Sequence, residues 1–432
     1  MDARELACRV IHAVMDKGAF SGEELRRYLN EETSMDSRDR HFASRLVRGT
    51  LENILLLDHE LERFTRTPVR KCKPLLRELL RMGAYQVLFM DSVSDAAAVD
   101  ESVKLASKLG FKSQRGFVNA VLRNLCRDKT LPEGPVELLC SVPAYLFGLL
   151  KKQYGQKTAE NIALSFQKPD RFCVTFLESR ADEEAILRSL EKDRVTAEKA
   201  PLAGTSWYLE DFGRIDGVEA FQKGWLQVQG IGSALAGQLI RPKPGSRVLD
   251  LCAAPGGKTI YMADQMCDSG LIIAADNSAE RLKRVDENAS RCHFGCIRTV
   301  TNDAAVFNPE WEGSMDYVMA DLPCSGLGTI GHRPEIRYRV NPAFLKETVA
   351  LQRKILANAW RYLKPGGIMV FSTCTINKTE NEDNYKWLLE TAPVEAVPGE
   401  GFPDGTGSEG WLQLVPGEHP CGFFVSRCRR VR

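Results

Sequence analysis

The 432-residue chain has no apolar run near the roughly 18 residues that a membrane-spanning helix requires. Its apolar stretches are short, as in Ile54-Leu55-Leu56-Leu57. The opening MDARELACRV has neither the basic start nor the apolar stretch of a secretory leader. An excess of either charge is also missing, with 58 Lys+Arg against 57 Asp+Glu and a formal charge of +1. Collagen-like repeats and low-complexity tracts are absent, so fibrous and disordered classes are excluded. What is present is ordinary for a globular protein: 44% apolar and 27% charged residues, in a length that suggests about three domains at ~150 residues each. The 13 cysteines are odd in number and scattered, which favours reduced thiols in a cytoplasm over a disulfide framework. A cysteine with a special role is then expected to act through its chemistry.

The balanced total hides an asymmetry. Residues 1–130 hold 23 Lys+Arg against 19 Asp+Glu, and the remainder holds 35 against 38. Within 63–81 the imbalance sharpens, with Arg63, Arg66, Arg70, Lys71, Lys73, Arg77 and Arg81 opposed only by Glu78. Such a run either docks a polyanion or forms a solvated helix face. Strand signals are nearly absent before residue 130, where helical spacing predicts helices over 5–16, 23–30, 37–63, 75–90, 96–109 and 114–127. Pro132, Gly134 and Pro135 mark a linker. Residues 136–225 read as a small α+β domain, ferredoxin-like in pattern, with strands at 172–177 and 207–210. From 226 to 432, near-continuous apolar strands at 247–251, 271–276, 297–300, 315–321 and 367–373 alternate with amphipathic helices. This predicts a Rossmann-like α/β domain whose parallel sheet is covered on both faces and binds ligands at the strand C-termini.

Four polar signals lie at those strand ends. The first is Asp250-Leu251-Cys252-Ala253-Ala254-Pro255-Gly256-Gly257-Lys258-Thr259, whose small residues let a ligand approach backbone N–H groups. It is not a dinucleotide fingerprint, and of a P-loop it keeps only Gly257-Lys258-Thr259, with Cys252 where the first glycine belongs. The second signal is Asp276, placed to accept hydrogen bonds from ribose hydroxyls, with Asp303 after the next strand. The third and fourth are Asp321-Leu322-Pro323-Cys324-Ser325-Gly326 and Ser372-Thr373-Cys374-Thr375, which should bring two thiols to one edge of the sheet. Most intracellular cysteines are inert small hydrophobes, but two at neighbouring strand ends beside a cofactor loop reverse that expectation.

The motifs CAAPGGKT, DLPCSG and STCT resemble those of the RNA cytosine-C5 methyltransferases that use S-adenosylmethionine, the Sun, Fmu or NOL1/NOP2 family. The resemblance covers nearly the whole chain. HFASRLVRGTL and GFVNAVLRNL in residues 1–130 are similar to a NusB-like helical RNA-binding domain, and PGEHPCGFF near the end also fits. This pairing resembles the bacterial enzymes that act on 16S ribosomal RNA more than their tRNA-specific relatives. It implies that Cys252, Ala253, Ala254, Pro255, Gly256, Gly257 and Lys258 bind S-adenosylmethionine, Asp276 its ribose and Asp303 its adenine side. Asp321 would approach the methionine portion or the target base. By the same resemblance Cys374 is the nucleophile and Cys324 assists release, and no metal is needed. The chain departs from the family pattern at Cys173-Val174-Thr175, at Gly230 and Ala234, and at Cys421.

Carbon 5 of cytosine is too weak a nucleophile to take a methyl group unaided, so a thiolate must first add at carbon 6. A second thiol or another base can then serve the loss of the carbon-5 proton. The base must leave any stack to reach such a site, so a single-stranded or loop region of 16S rRNA is the expected partner, free or in a small-subunit assembly intermediate with ribosomal protein. GHRPEIRY at 331–338 either contacts phosphate or carries surface charges, and Cys292-His293-Phe294-Gly295-Cys296 reads as a helix-ending turn rather than a zinc site. The rival functions are methylation of tRNA, a non-catalytic RNA-binding factor, and a nucleotide hydrolase built on Gly257-Lys258-Thr259.

Overall fold

The computed structural model describes residues 1–168 and 171–432. By internal contacts the chain forms two compact units, Met1–Pro169 with Ile330–Val340, and Asp170–Thr329 with Asn341–Arg432. The helices that follow Pro135 thus belong with the first unit, and the expected boundary at 136 is a linker within it. No helix among the described residues is long and apolar enough to cross a membrane.

The first unit is helical. Helices Ala3–Lys17, Ser37–Glu52, Pro74–Phe89, Asp95–Lys108 and Arg115–Arg127 bury one apolar face each, including Leu6, Ile11, Leu46, Leu51, Leu79 and Leu122. Asp2, Asp36 and Ser94 accept bonds from the backbone N–H groups of Glu5, Asp39 and Ala97, which starts three of these helices. The single helix expected over 37–63 is two, Ser37–Glu52 and Ile54–Glu62. Asn53 leaves helical geometry (φ −119°, ψ 16°), and its side-chain amide turns back to the Gly49 carbonyl at 2.8 Å.

Residues 331–338 are not a run of surface charges, which corrects that reading for Arg337. Ile330–Val340 lies within the helical unit. The fully buried Arg337 donates to the carbonyl oxygens of Cys140 at 2.7 Å and Glu52 at 3.3 Å, and Glu335 accepts from the N–H and hydroxyl of Ser21. Of this stretch's arginines, Arg333 alone is exposed.

The second unit contains two sheets. Cys173–Phe176 (β1), Thr196–Lys199 (β2), Ser206–Glu210 (β3) and Leu226–Val228 (β4) form an antiparallel sheet in the order β2-β3-β1-β4. Helices Glu183–Lys192 and Glu219–Gln222 complete a βαββαβ, ferredoxin-like pattern. The larger sheet contains Arg247–Asp250 (β5), Leu271–Asp276 (β6), Ile297–Thr301 (β7), Met315–Asp321 (β8), Leu363–Thr373 (β9), Val394–Ala396 (β10), Trp411–Leu414 (β11) and Phe423–Arg430 (β12). Its order is β10-β12-β9-β8-β5-β6-β7, with β11 also paired to β12.

Strands β5 to β9 are parallel, as their apolar runs predict. Val248, Ile272, Ala274, Met319 and Val370 pack into one core, and Leu249, Ile273, Ala275, Val318 and Phe371 into the other. The wholly parallel sheet expected is mixed, however, because β12 pairs antiparallel with β9, and β10 and β11 antiparallel with β12. From β5 the chain winds outward through β6 to β7, then returns to place β8 on the other side of β5. The switch point between β5 and β8 opens a crevice at their C-terminal ends.

Candidate active site

Leaving β5, the chain is pinned to both neighbouring strands. The Leu251 N–H donates to the Met319 carbonyl at 3.0 Å and the Ala253 N–H to the Ala275 carbonyl at 2.9 Å. Gly256 sits at φ +104°, where a Cβ would lie 3.2 Å from the Val285 backbone, so the turn requires glycine. Helix Gly257–Gln265 then begins with no side-chain cap, which leaves its first N–H groups open for a ligand. Beside it lies a cavity of about 210 Å³, lined among others by Gln229, Ser233, Cys252, Ala254, Lys258 and Asp321.

Asp250 is buried at the base of this cavity. Its Oδ2 accepts from the Thr259 hydroxyl at 2.7 Å, and its Oδ1 has no partner. Burial pushes its carboxyl up to about 7. The folded protein therefore holds a proton that the unfolded chain releases near pH 4, and Asp250 costs stability as pH rises from about 4 to 7. Asp250→Asn should gain stability relative to wild type over that interval; parallel denaturation curves at pH 4 and pH 8 with a constant difference would refute it. Burial likewise pushes the Cys252 thiol up, helped by the nearby carboxylates of Asp250, Asp321 and Asp276.

Lys258 and Thr259 are engaged within the protein and do not form a phosphate cradle. Lys258 Nζ donates to Asp321 Oδ2 at 2.6 Å and to the Ser233 hydroxyl at 2.8 Å, and Asp321 Oδ1 accepts from the Ser372 hydroxyl at 2.7 Å. Asp276 is buried, and its oxygens accept from the N–H groups of Ser278 and Ala254 and from Arg281. Of its three donors only Arg281 is a side chain, and it is more than half exposed. Asp303 is exposed beyond β7, with Oδ1 on the Ala305 N–H, and does not line the cavity.

Following β8 and β9, the two thiols meet: Cys324 Sγ lies 3.3 Å from Cys374 Sγ, and both are half-buried. Contact with Cys374 and then burial hold the Cys324 thiol well above its ordinary range. The loop after Cys324 is held to the Cys374 strand by the Gly328 N–H on the Cys374 carbonyl at 3.0 Å. A Cβ at Gly328 would come within 1.9 Å of the Gly422 carbonyl oxygen.

Sequence reading missed the polar layer under this pair. The fully buried Glu380 accepts from the Ser325 N–H at 2.8 Å, the Ser325 hydroxyl at 2.5 Å, Asn377 at 3.0 Å and Gln352 at 3.2 Å. It ties the residue after Cys324 to the segment after Cys374, where Thr375 bonds the same Ser325 hydroxyl at 2.7 Å. The sequence carried no signal for it, because a run such as Thr375, Asn377, Glu380, Asn381 and Asn384 reads as a polar surface loop. Glu380→Gln should lower unfolding free energy by about 2 kcal/mol, since donors aimed at a charged acceptor lose it. Denaturant curves superimposable on wild type would contradict this. Ser233 and Gln229 were also missed, because single polar residues carry no pattern, and Ser372 was read only as part of the Ser372-Thr373-Cys374-Thr375 motif.

The remaining candidates are accounted for locally. Helix Ala279–Arg291 ends at Cys292, and His293 takes φ +58° in the turn that follows, as expected for that segment. Among the described residues no cluster of His, Cys, Asp and Glu is arranged to hold a metal ion.

Residues 237–429 match the family model described as 16S rRNA methyltransferase RsmB/F, and residues 1–127 match the NusB family. A Bacillus subtilis protein, "Probable ribosomal RNA small subunit methyltransferase B", is 31% identical over 398 residues, covering 90% of this chain and 88% of its own. A Synechocystis protein of the same description is 29% identical with full coverage of both chains. Among solved structures, PH0851 superposes with a TM-score of 0.84 at 26% identity, covering 99% of each chain. NSun6 from Pyrococcus horikoshii, solved with SFG, superposes at 0.60 and 20% identity over 67% of this chain and 98% of its own, a likeness of fold. With the RsmB/F match placed on the sheet that carries the cavity and both thiols, and the NusB match on the helical unit, the chain belongs to the RsmB/F family of 16S rRNA methyltransferases.

Proposed function

We propose that the protein transfers a methyl group to carbon 5 of a specific cytosine in 16S rRNA through a covalent adduct with Cys374. The observation that carries this reading is the 3.3 Å contact between two thiols at adjacent strand ends, beside a cavity that opens at the sheet's switch point. Addition followed by elimination uses one group for attack and a second for release, and a second thiol beside the first is suited to that pairing.

The cofactor is S-adenosylmethionine, and the cavity fits it chemically. The uncapped helix start, the orphaned Asp250 oxygen and the glycine-limited turn offer acceptors, donors and room for a polar nucleoside. Residues 252–258 would hold it, with Asp276 toward the ribose and Asp303 toward the adenine. When bound it supplies the electrophilic methyl. Cys374 adds as a thiolate to cytosine C6, and the ring electrons it displaces make C5 nucleophilic. Asp321, held by Lys258 and Ser372, is positioned to stabilise the proton that the ring nitrogen gains during addition. After transfer, the C5 proton leaves to a base at this edge and the C6–sulfur bond breaks, returning the electron pair to Cys374. Cys324 is the group beside that sulfur and governs the step.

The test is incubation with labelled S-adenosylmethionine and 16S rRNA, with tRNA in parallel, followed by nucleoside analysis. The expected product is 5-methylcytidine in 16S rRNA. Label in tRNA alone would favour the tRNA reading; no transfer to any RNA, with RNA binding retained, would favour a non-catalytic factor.

A further inference from the structure

The basic run 63–81 is divided by the fold into two sets. Arg63 pairs with Glu60 and Asp128, Arg77 with Asp16 and Glu78, and Arg81 with Asp58 and Glu78. Those pairings consume the acids around the segment. Glu62, the last acid before it, accepts from the Val69 N–H through its Oε1 at 3.0 Å. Between them Arg66, Arg70, Lys71 and Lys73 are all exposed, and none has an acidic partner among the described residues.

This stretch is also stiff. Val69 is fully buried in the helical core and anchors a 3₁₀ turn over Val69–Lys71. The Lys71 N–H bonds the Pro68 carbonyl at 2.9 Å and the Cys72 N–H bonds the Val69 carbonyl at 3.0 Å, while Pro68 and Pro74 fix the backbone at either end. Four long cations with no counter-charge repel one another. That arrangement is favourable where a polyanion neutralises them, and the stiff loop lowers the ordering cost of meeting it.

From this we infer that the loop of Arg66, Arg70, Lys71 and Lys73 is a docking surface for the phosphate backbone of the RNA substrate. The inference rests on the RNA-substrate reading above and adds the surface that reading lacks. The contacts are with phosphate, so they supply affinity and orientation without base specificity.

The experiment compares full-length wild type, the quadruple alanine variant at Arg66, Arg70, Lys71 and Lys73, and a charge-matched control with alanine at the exposed Lys151, Lys152, Lys157 and Lys168. Binding to a 16S rRNA fragment is titrated from 50 to 200 mM salt, with methyl transfer measured at saturating RNA. The loop variant should bind roughly 10–100-fold more weakly, with a salt slope lower by about 3, and keep its transfer rate at saturation. Arg70→Ala alone should lower the slope by nearly 1, which guards against a folding defect in the quadruple variant. Equal losses in the loop variant and the control would overturn the inference, because bulk charge would then explain them. Unchanged RNA binding with loss of a ribosomal-protein contact would overturn it as well. If wild type binds the RNA but does not methylate it, the parent reading falls, while the comparison of variants still decides the loop.

Discussion

Cys374→Ala should abolish both methyl transfer and the denaturation-resistant protein–RNA adduct, while Cys324→Ala should accumulate the adduct and turn over little. The two sulfurs are 3.3 Å apart and both half-buried, so position alone does not separate their roles, and the assignment of attack to Cys374 follows the resemblance carried by the Ser372-Thr373-Cys374-Thr375 motif. Loss of the attacking group removes the whole covalent route, a fall of several orders of magnitude, since the unassisted C5 has no comparable pathway. Loss of Cys324 leaves addition possible and slows elimination. Radiolabelled cofactor and gel separation read both quantities in one incubation. An adduct formed by Cys374→Ala and absent from Cys324→Ala would reverse the assignment.

Asp321→Asn should lower the single-turnover transfer rate by roughly 10²–10³-fold, the magnitude typical of removing one preorganised electrostatic group. Asp321 joins the two halves of the site. It lines the cavity, accepts from Lys258 at 2.6 Å and Ser372 at 2.7 Å, and precedes Cys324 by three residues. An amide keeps the shape but loses the charge that balances the buried Lys258 ammonium and the protonated base. Asp321→Glu should restore part of the rate, because charge rather than shape is what the step needs. Measured with cofactor affinity alongside, the loss should fall on the rate. A large loss of affinity with an unchanged rate would instead make Asp321 part of the cofactor cradle alone.

Much of this site was legible before any coordinates, for a specific reason. In a parallel sheet the functional groups lie immediately after apolar strands, so Asp250, Asp276, Asp321 and Cys324 are local in sequence to patterns that are easy to read. Cys374 is legible in the same way after β9. The antiparallel β12 was not, because Phe423-Phe424-Val425 is one short apolar run whose direction depends on a partner more than 50 residues earlier in the chain. The break at Asn53 also escaped, since apolar spacing continues on both sides and a single side-chain bond to Gly49 ends the helix.

By itself, then, the amino-acid sequence determined the alternation of strands and helices, the cofactor loop, both thiols and the family resemblance. Each of these depends on residues within about a dozen positions of one another. Tertiary structure alone decided which charges are spent and which are free. Arg337 reads as one more surface cation yet is fully buried on carbonyl oxygens, and Arg63, Arg77 and Arg81 are neutralised by Asp128, Asp16 and Asp58. Glu380 reads as a surface acid and is fully buried beneath the thiol pair. Burial and ion pairing depend on distances between residues that are far apart along the chain, and no local pattern encodes those distances.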